Sequence, residues 1–187
     1  MASPMSRWRR FIIPALATAA LGYLVVMVWS GAQPVHRQIV PFEAKGVLTT
    51  PPEQIRRVEL SRGEERLTAV RTGNKTWATP EGRDIAAEAS RRISMAVQML
   101  HTSGPARELA PEELAGVDIA AFELDPPRLV ARLYEGGAKP ILTVRFGGHN
   151  PDGFLQYMRV DGDQRIYLLS RFVGEEWAAA LNGSLRP

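Results

Sequence analysis

IRRVELSRGEERLTAVRTGNKTWAT, running from Ile55 to Thr79, alternates apolar and polar side chains with the two-residue period of a half-buried strand and breaks twice at glycine. Val58 and Leu60 fall on one face and Arg57, Glu59 and Ser61 on the other, so Ile55 to Arg62 is predicted as a first strand. Gly63-Glu64 turns the chain. Leu67, Ala69 and Arg71 then alternate with Thr68 and Val70 on a second strand. Gly73-Asn74 turns it again, and Lys75 to Thr79 makes a short third strand carrying a large anchor, Trp77. This is an antiparallel meander, closed by Pro80-Glu81-Gly82, and its apolar face needs a cover.

The cover follows directly. Asp84 is placed to cap a helix reaching His101, in which Ile85, Ala89, Ile93, Ala96, Val97 and Leu100 recur at helical spacing. Glu88 and Arg92 stand one turn apart on its polar side as an exposed pair. Ser103-Gly104-Pro105 ends the helix and a linker begins. Within the linker, Pro111 to Leu114 reads as one helical turn, and Asp118 caps another that runs through Phe122. Asp125-Pro126-Pro127 then forces an extended entry into Arg128 to Tyr134, with Leu129, Ala131 and Leu133 on one face. After Gly136-Gly137, Ile141 to Phe146 returns with Leu142, Val144 and Phe146 on one side, and Gly147 to Gly153 is a polar loop. Phe154 to Val160 and Arg165 to Ser170 pair about Asp161-Gly162-Asp163. A final amphipathic helix, Arg171 to Leu181, presents Phe172, Trp177 and Leu181. The expected class is α+β, antiparallel hairpins and meanders packed against one long and one short helix, with similar strands-then-helix halves.

Upstream lies a different kind of segment. Phe11 to Trp29 carries no charged side chain and follows Arg7, Arg9 and Arg10. A helix of that length measures about 28 Å, close to the roughly 30 Å hydrocarbon thickness of a bilayer, so it reads as a single membrane span. Trp8 and Trp29 bracket it as interfacial anchors, and Pro14 is tolerable near its start. The arginines before the span, against Arg37 alone soon after it, put residues 1–10 in the cytoplasm and the rest in the periplasm of a bacterial inner membrane. Residues 11–29 are then the anchor, 30–52 a proline-punctuated periplasmic stalk on which Ile39, Val40 and Phe42 form an edge strand, and 53–187 one periplasmic domain. The alternative is a secretory signal cleaved after Ala32, where Ser30-Gly31-Ala32 places small residues at both required positions. Arg9-Arg10 also fits a twin-arginine signal weakly. Either alternative still exports the domain.

Composition narrows the functional classes. The formal charge is +3, which the three arginines before the span account for, so the pI of 9.6 reports topology and gives no argument for nucleic acid. There is no cysteine, which excludes disulfides and thiolate metal sites. No Gly-x-Ser-x-Gly elbow or Ser-x-x-Lys pair is present, and His36, His101 and His149 are not spaced for zinc. No cofactor, metal or catalytic set is expected. The most site-like stretch is Gly147, Gly148, His149, Asn150, Asp152 and Gly153, a candidate loop for a ligand or partner. Asp161-Gly162-Asp163 reads as a hairpin turn because the rest of a calcium loop is missing. Arg128, Arg132, Arg145 and Arg159 offer a basic face for anionic lipid or polymer, with a solvated face as the default, and Trp77 and Trp177 read as core anchors.

Several of these features occur together in one family. Ile55-Arg56-Arg57-Val58-Glu59-Leu60, Leu67 to Arg71, Trp77 before Pro80, a helix, Asp125-Pro126-Pro127-Arg128-Leu129-Val130, Phe146-Gly147, Tyr157 to Val160 and Ile166-Tyr167-Leu168 follow in that order. Over Ile55 to Leu181 the chain resembles uncharacterised single-span periplasmic proteins associated with gliding-motility-type ABC transporters. It departs from them at Val117 to Leu124, where that family carries a Tyr-Gly-Leu-like element. The resemblance implies an accessory domain acting with a membrane partner, and it brings no catalytic residues. The expectation is therefore a non-enzymatic adaptor binding a protein of a membrane complex, with a module for an envelope lipid or glycan as the alternative.

Overall fold

The computed structural model describes residues 5–30 and 44–184, and the chain divides into two compact units, Met1–Phe42 and Glu43–Pro187. Among its described residues the first contains one helix, α1 (Met5–Trp29), whose stretch Ile12–Trp29 is long and apolar enough to cross a membrane. The helix exceeds the apolar run: Arg7, Trp8, Arg9, Arg10 and Phe11 lie inside it, since arginine favours helix as much as most apolar residues do. Pro14 accordingly falls in the helix interior and not in its first turns. It lacks an N–H to donate, and the Thr18 hydroxyl donates to its carbonyl at 2.9 Å. Trp29 is exposed at the end of the helix. The expected edge strand at Ile39, Val40 and Phe42 and the cleavage point after Ala32 lie outside the described residues.

The second unit is α+β, as the sequence predicts. The meander is β1 (Arg57–Arg62), β2 (Glu65–Arg71) and β3 (Trp77–Ala78), followed by α2 (Ala87–Thr102), a short strand β4 (Arg107–Leu109), then β5 (Leu129–Tyr134), β6 (Leu142–His149), β7 (Leu155–Val160), β8 (Ile166–Ser170) and α3 (Arg171–Ser184). All eight strands form one antiparallel sheet in the order β3-β2-β1-β5-β6-β7-β8-β4. β1 pairs β5 at its centre, with Val58 opposite Leu133 and Leu60 opposite Ala131, so the meander and the later hairpins extend from this pair in opposite directions.

One face of the sheet holds the core. Val58, Leu60, Leu67, Ala69, Leu133, Val144, Phe146 and Met158 meet Ile93, Val97 and Leu100 of α2 and Val173, Trp177 and Leu181 of α3 in a single buried cluster. Trp77 and Trp177 are both buried there. Each fully buried large apolar side chain contributes about 1.5–3 kcal/mol, and this cluster substitutes for the disulfides the chain does not have. The expected Glu88–Arg92 pair forms at 2.9 Å, and Arg92 also reaches Glu176 at 3.1 Å, joining α2 to α3.

Several local expectations are corrected. Asp84 does not cap α2; it forms a β-bridge with Ala78, and the helix starts after Ala86 without a side-chain cap. Pro111 to Leu114 makes hydrogen-bonded turns instead of a helix, whereas Asp118 caps a 3-10 turn at Ile119–Phe122 as expected, accepting from the Ala120 N–H at 3.0 Å. The linker contains β4, which pairs with β8 through Glu108 opposite Tyr167. Phe172 is 57% exposed and faces away from the core that Trp177 and Leu181 enter.

The stalk boundary also moves. Leu48 is buried in the core cluster, Gly46 donates to the His101 carbonyl at 3.0 Å, and Leu48 donates to the Leu100 carbonyl at 2.9 Å. These bonds satisfy carbonyls that the end of α2 leaves unpaired, so residues 44–52 belong to the domain and not to a free stalk.

Candidate functional site

The loop singled out in the sequence is not gathered into a site. Gly147, Gly148 and His149 are the last residues of β6, where the register with β7 shifts between Phe146 and His149. Gly147 and Gly148 are buried because the segment entering β5 lies directly on them. A Cβ at Gly147 would overlap the Phe122 carbonyl and the Leu124 side chain, and one at Gly148 would crowd the Glu123 side chain. Phe122 in turn packs on Tyr157 with ring centroids 4.5 Å apart. Asn150 closes the turn itself, its side-chain oxygen accepting from the Leu155 N–H at 2.9 Å and its carbonyl from the Gly153 N–H at 2.9 Å. His149 and Asp152 are exposed. The polar groups of this loop hold the turn and do not converge on a ligand.

The basic residues are brought together. Both helices of the domain lie on one face of the sheet, and the register places a block of charged side chains on the other. One cross-strand row reads Arg66, Ser61, Val130, Arg145, Arg159, each opposite the next. The neighbouring row reads Thr68, Glu59, Arg132, Thr143, with Asp161 bonded to Thr143 beyond it. Of the arginines the sequence singled out, Arg132, Arg145 and Arg159 share this face, whereas Arg128 is paired with Glu123 at its margin. Arg57, Arg66, Glu59 and Asp161 complete the face and were not singled out. Their signal was present in the alternation of Arg57 and Glu59 with Val58 and Leu60, but the neighbours on β5 to β7 are fixed only by pairing.

Two carboxylates sit among these guanidinium groups and both are engaged, while a third, Asp125, lies near enough for its charge to act on Arg145. Glu59 accepts from the Tyr134 hydroxyl at 2.7 Å and lies 3.5 Å from Arg57, whose guanidinium rests 3.9 Å above the Tyr134 ring. Burial and the bond to Glu59 push the Tyr134 phenol up. Asp161 takes both ends of the Arg145 fork, at 2.6 and 3.1 Å. That bond, with the fields of Arg159 and Arg132, holds the Asp161 carboxyl below its ordinary value. Among the described residues, Arg66, Arg132 and Arg159 have no carboxylate within ion-pair distance. Among the described residues the face is therefore positive, and three of its cations stand without a carboxylate partner.

A second polar cluster has no such spare valence. Asp163 accepts from Arg165, from the Tyr167 hydroxyl at 2.6 Å and from the Arg165 N–H at 2.9 Å, while Arg165 also bonds Glu108 at 2.8 Å. It ties the β7–β8 turn to β4, and Asp161-Gly162-Asp163 serves as that turn. Among the described residues, no group of three His, Asp or Glu side chains is placed to hold a metal ion. Comparison with family models, with curated proteins and with solved structures finds no match to this chain.

Proposed function

We propose that the protein is a membrane-anchored, non-enzymatic adaptor whose α+β domain binds a partner protein of a membrane complex. The observation that carries this reading is the part of the sheet face covered neither by the helices nor by the Phe122–Leu124 segment, on which Arg66, Arg132 and Arg159 have no carboxylate partner among the described residues. It stands on a chain whose N-terminal helix is long enough to anchor it. Arginine and tyrosine are the residue types that dominate protein interfaces, and a solvated face has no need of directly opposed arginines. The arginines before the span support a cytoplasmic N-terminus and a periplasmic domain in a bacterial inner membrane. The family resemblance supports an ABC transporter of the gliding-motility type as the partner complex.

Photo-crosslinking residues substituted at Arg66, Arg132 and Arg159 in intact membranes test the reading. Adducts with a discrete membrane protein are expected from these positions and not from Arg91 on α2. Adducts with lipid or glycan alone transfer the function to envelope-ligand binding. A reporter fused after Ser184 that is active only in the cytoplasm overturns the topology.

A further inference from the structure

We infer that the surface this domain recognises is an acidic segment of a partner protein, lying across the strands from β2 to β7 with carboxylates on Arg66, Arg132 and Arg159. The inference rests on the adaptor reading and adds the chemistry of the partner.

The register sets the spacing. Arg66 on β2 and Arg132 on β5 are separated by two strand intervals, and so are Arg132 and Arg159 on β7. At about 4.8 Å per interval and with Arg132 set about 7 Å along the strand from the row of Arg66 and Arg159, neighbouring cations stand about 12 Å apart in a shallow zigzag across the sheet. An acidic side chain on about every second turn of a helix repeats at about 11 Å, and one on every fourth residue of an extended chain, all on one face, at about 13 Å, so either matches this spacing within the reach of an arginine side chain.

The same face disfavours a uniform polyanion. Glu59 and Asp161 are set between the free arginines, so a continuous phosphate surface placed over Arg132 also meets two fixed negative charges. Of the apolar members of the face, Val130 and Tyr134 are 8% and 5% exposed and Val70 and Tyr157 are half-buried, so none protrudes to insert among acyl chains. Separated carboxylates in register with Arg66, Arg132 and Arg159 avoid both costs. The Arg145–Asp161 fork shows the bidentate pairing such carboxylates adopt.

The test uses the full chain in uncharged detergent micelles. The probe is a fluorescent Ala/Gln helical peptide with one Glu on about every second turn, compared with the same peptide carrying Gln at those positions. The Glu peptide is expected to bind about tenfold more tightly at low salt, with the difference shrinking as ionic strength rises. Arg132→Gln with Arg159→Gln is expected to remove the difference, Arg159→Lys to keep most of it, and Arg91→Gln to leave it intact. Equal binding of the two peptides, or a difference that survives the double substitution, overturns the inference. So does stronger binding to phosphatidylglycerol vesicles than to the Glu peptide. Photo-crosslinks to a membrane protein that persist in high salt overturn the acidic partner while the adaptor reading stands; no protein adduct from any position overturns both.

Discussion

Arg145 and Arg159 stand directly opposite each other across β6 and β7, and Asp161 grips only the first of them. Opposed like charges on a sheet cost roughly 0.2–1 kcal/mol, so this pair is a sacrifice of stability on the face proposed to bind. Arg159→Gln is expected to keep or raise stability by up to about 0.5 kcal/mol while weakening partner capture. Asp161→Asn is expected to lower stability by about 0.5–1 kcal/mol, because it leaves both arginines uncompensated. Urea unfolding of the two variants reads both signs, and a marked loss for Arg159→Gln would mean that its side chain serves the fold.

Gly147→Ala is expected to cost about 1–3 kcal/mol, since its Cβ has no room beside Phe122 and Leu124. Gly137→Ala, with open space around it, is expected to change stability by less than about 0.5 kcal/mol. If Gly147→Ala unfolds at the same temperature as the parent and loses only binding, the glycine belongs to a ligand site and not to packing.

The two buried tryptophans differ at one atom. Trp77 donates its ring N–H to the Ser94 hydroxyl at 2.9 Å, whereas the Trp177 ring N–H is buried with no partner among the described residues. Trp77→Phe is therefore expected to be more destabilising than Trp177→Phe by about 1 kcal/mol, although both lose a similar volume. Thermal unfolding in parallel gives the order, and the reverse order would place an ordered water on Trp177.

Leu48→Ala tests where the domain begins. A buried Leu48 is expected to cost about 2–4 kcal/mol on truncation, against almost nothing if residues 44–52 were a free stalk.

The Asp163–Tyr167 bond sets limits at both ends of the pH scale. Burial and that bond push the Tyr167 phenol up to about 12 from 10.0, favouring its protonated form in the folded state. The stability it contributes is whole below pH 10 and is lost as the pH rises toward 12. Asp163 runs the other way: Arg165 and Tyr167 hold its carboxyl well below 3.8, so its contribution is present above that value and is lost on acidification below it. Stability–pH curves of Tyr167→Phe should fall less steeply between pH 10 and 12 than those of the parent, the remaining fall belonging to Tyr134, whose phenol is also pushed up. An unchanged alkaline limb would assign it to another group.

Much of the architecture was legible in local patterns. The meander, the long helix, the later hairpins and the final helix follow from periodicities of two and of three to four residues, which any stretch displays without knowing its neighbours. The membrane-length helix is legible for the same reason, since length and apolarity are local. Boundaries failed where a local cue competed with a distant partner. Asp84 has the chemistry of a helix cap but pairs with Ala78, and Arg107 to Leu109 becomes a strand only because the edge of β8 is there to receive it.

The candidate site divides along the same line. The sequence by itself determined that polar and apolar residues alternate on each strand, and so that arginines would occupy a face opposite the core. Only the tertiary structure decided that β1 pairs with β5, and therefore that Arg66, Arg132, Arg145 and Arg159 lie on one surface with Glu59 and Asp161 between them. It also decided that Gly147 and Gly148 make room for Leu124 and Glu123, and that Leu48 belongs to the core. The physical reason is that a side chain's face is set by its neighbours in the chain, whereas its company is set by strand register between segments far apart in sequence.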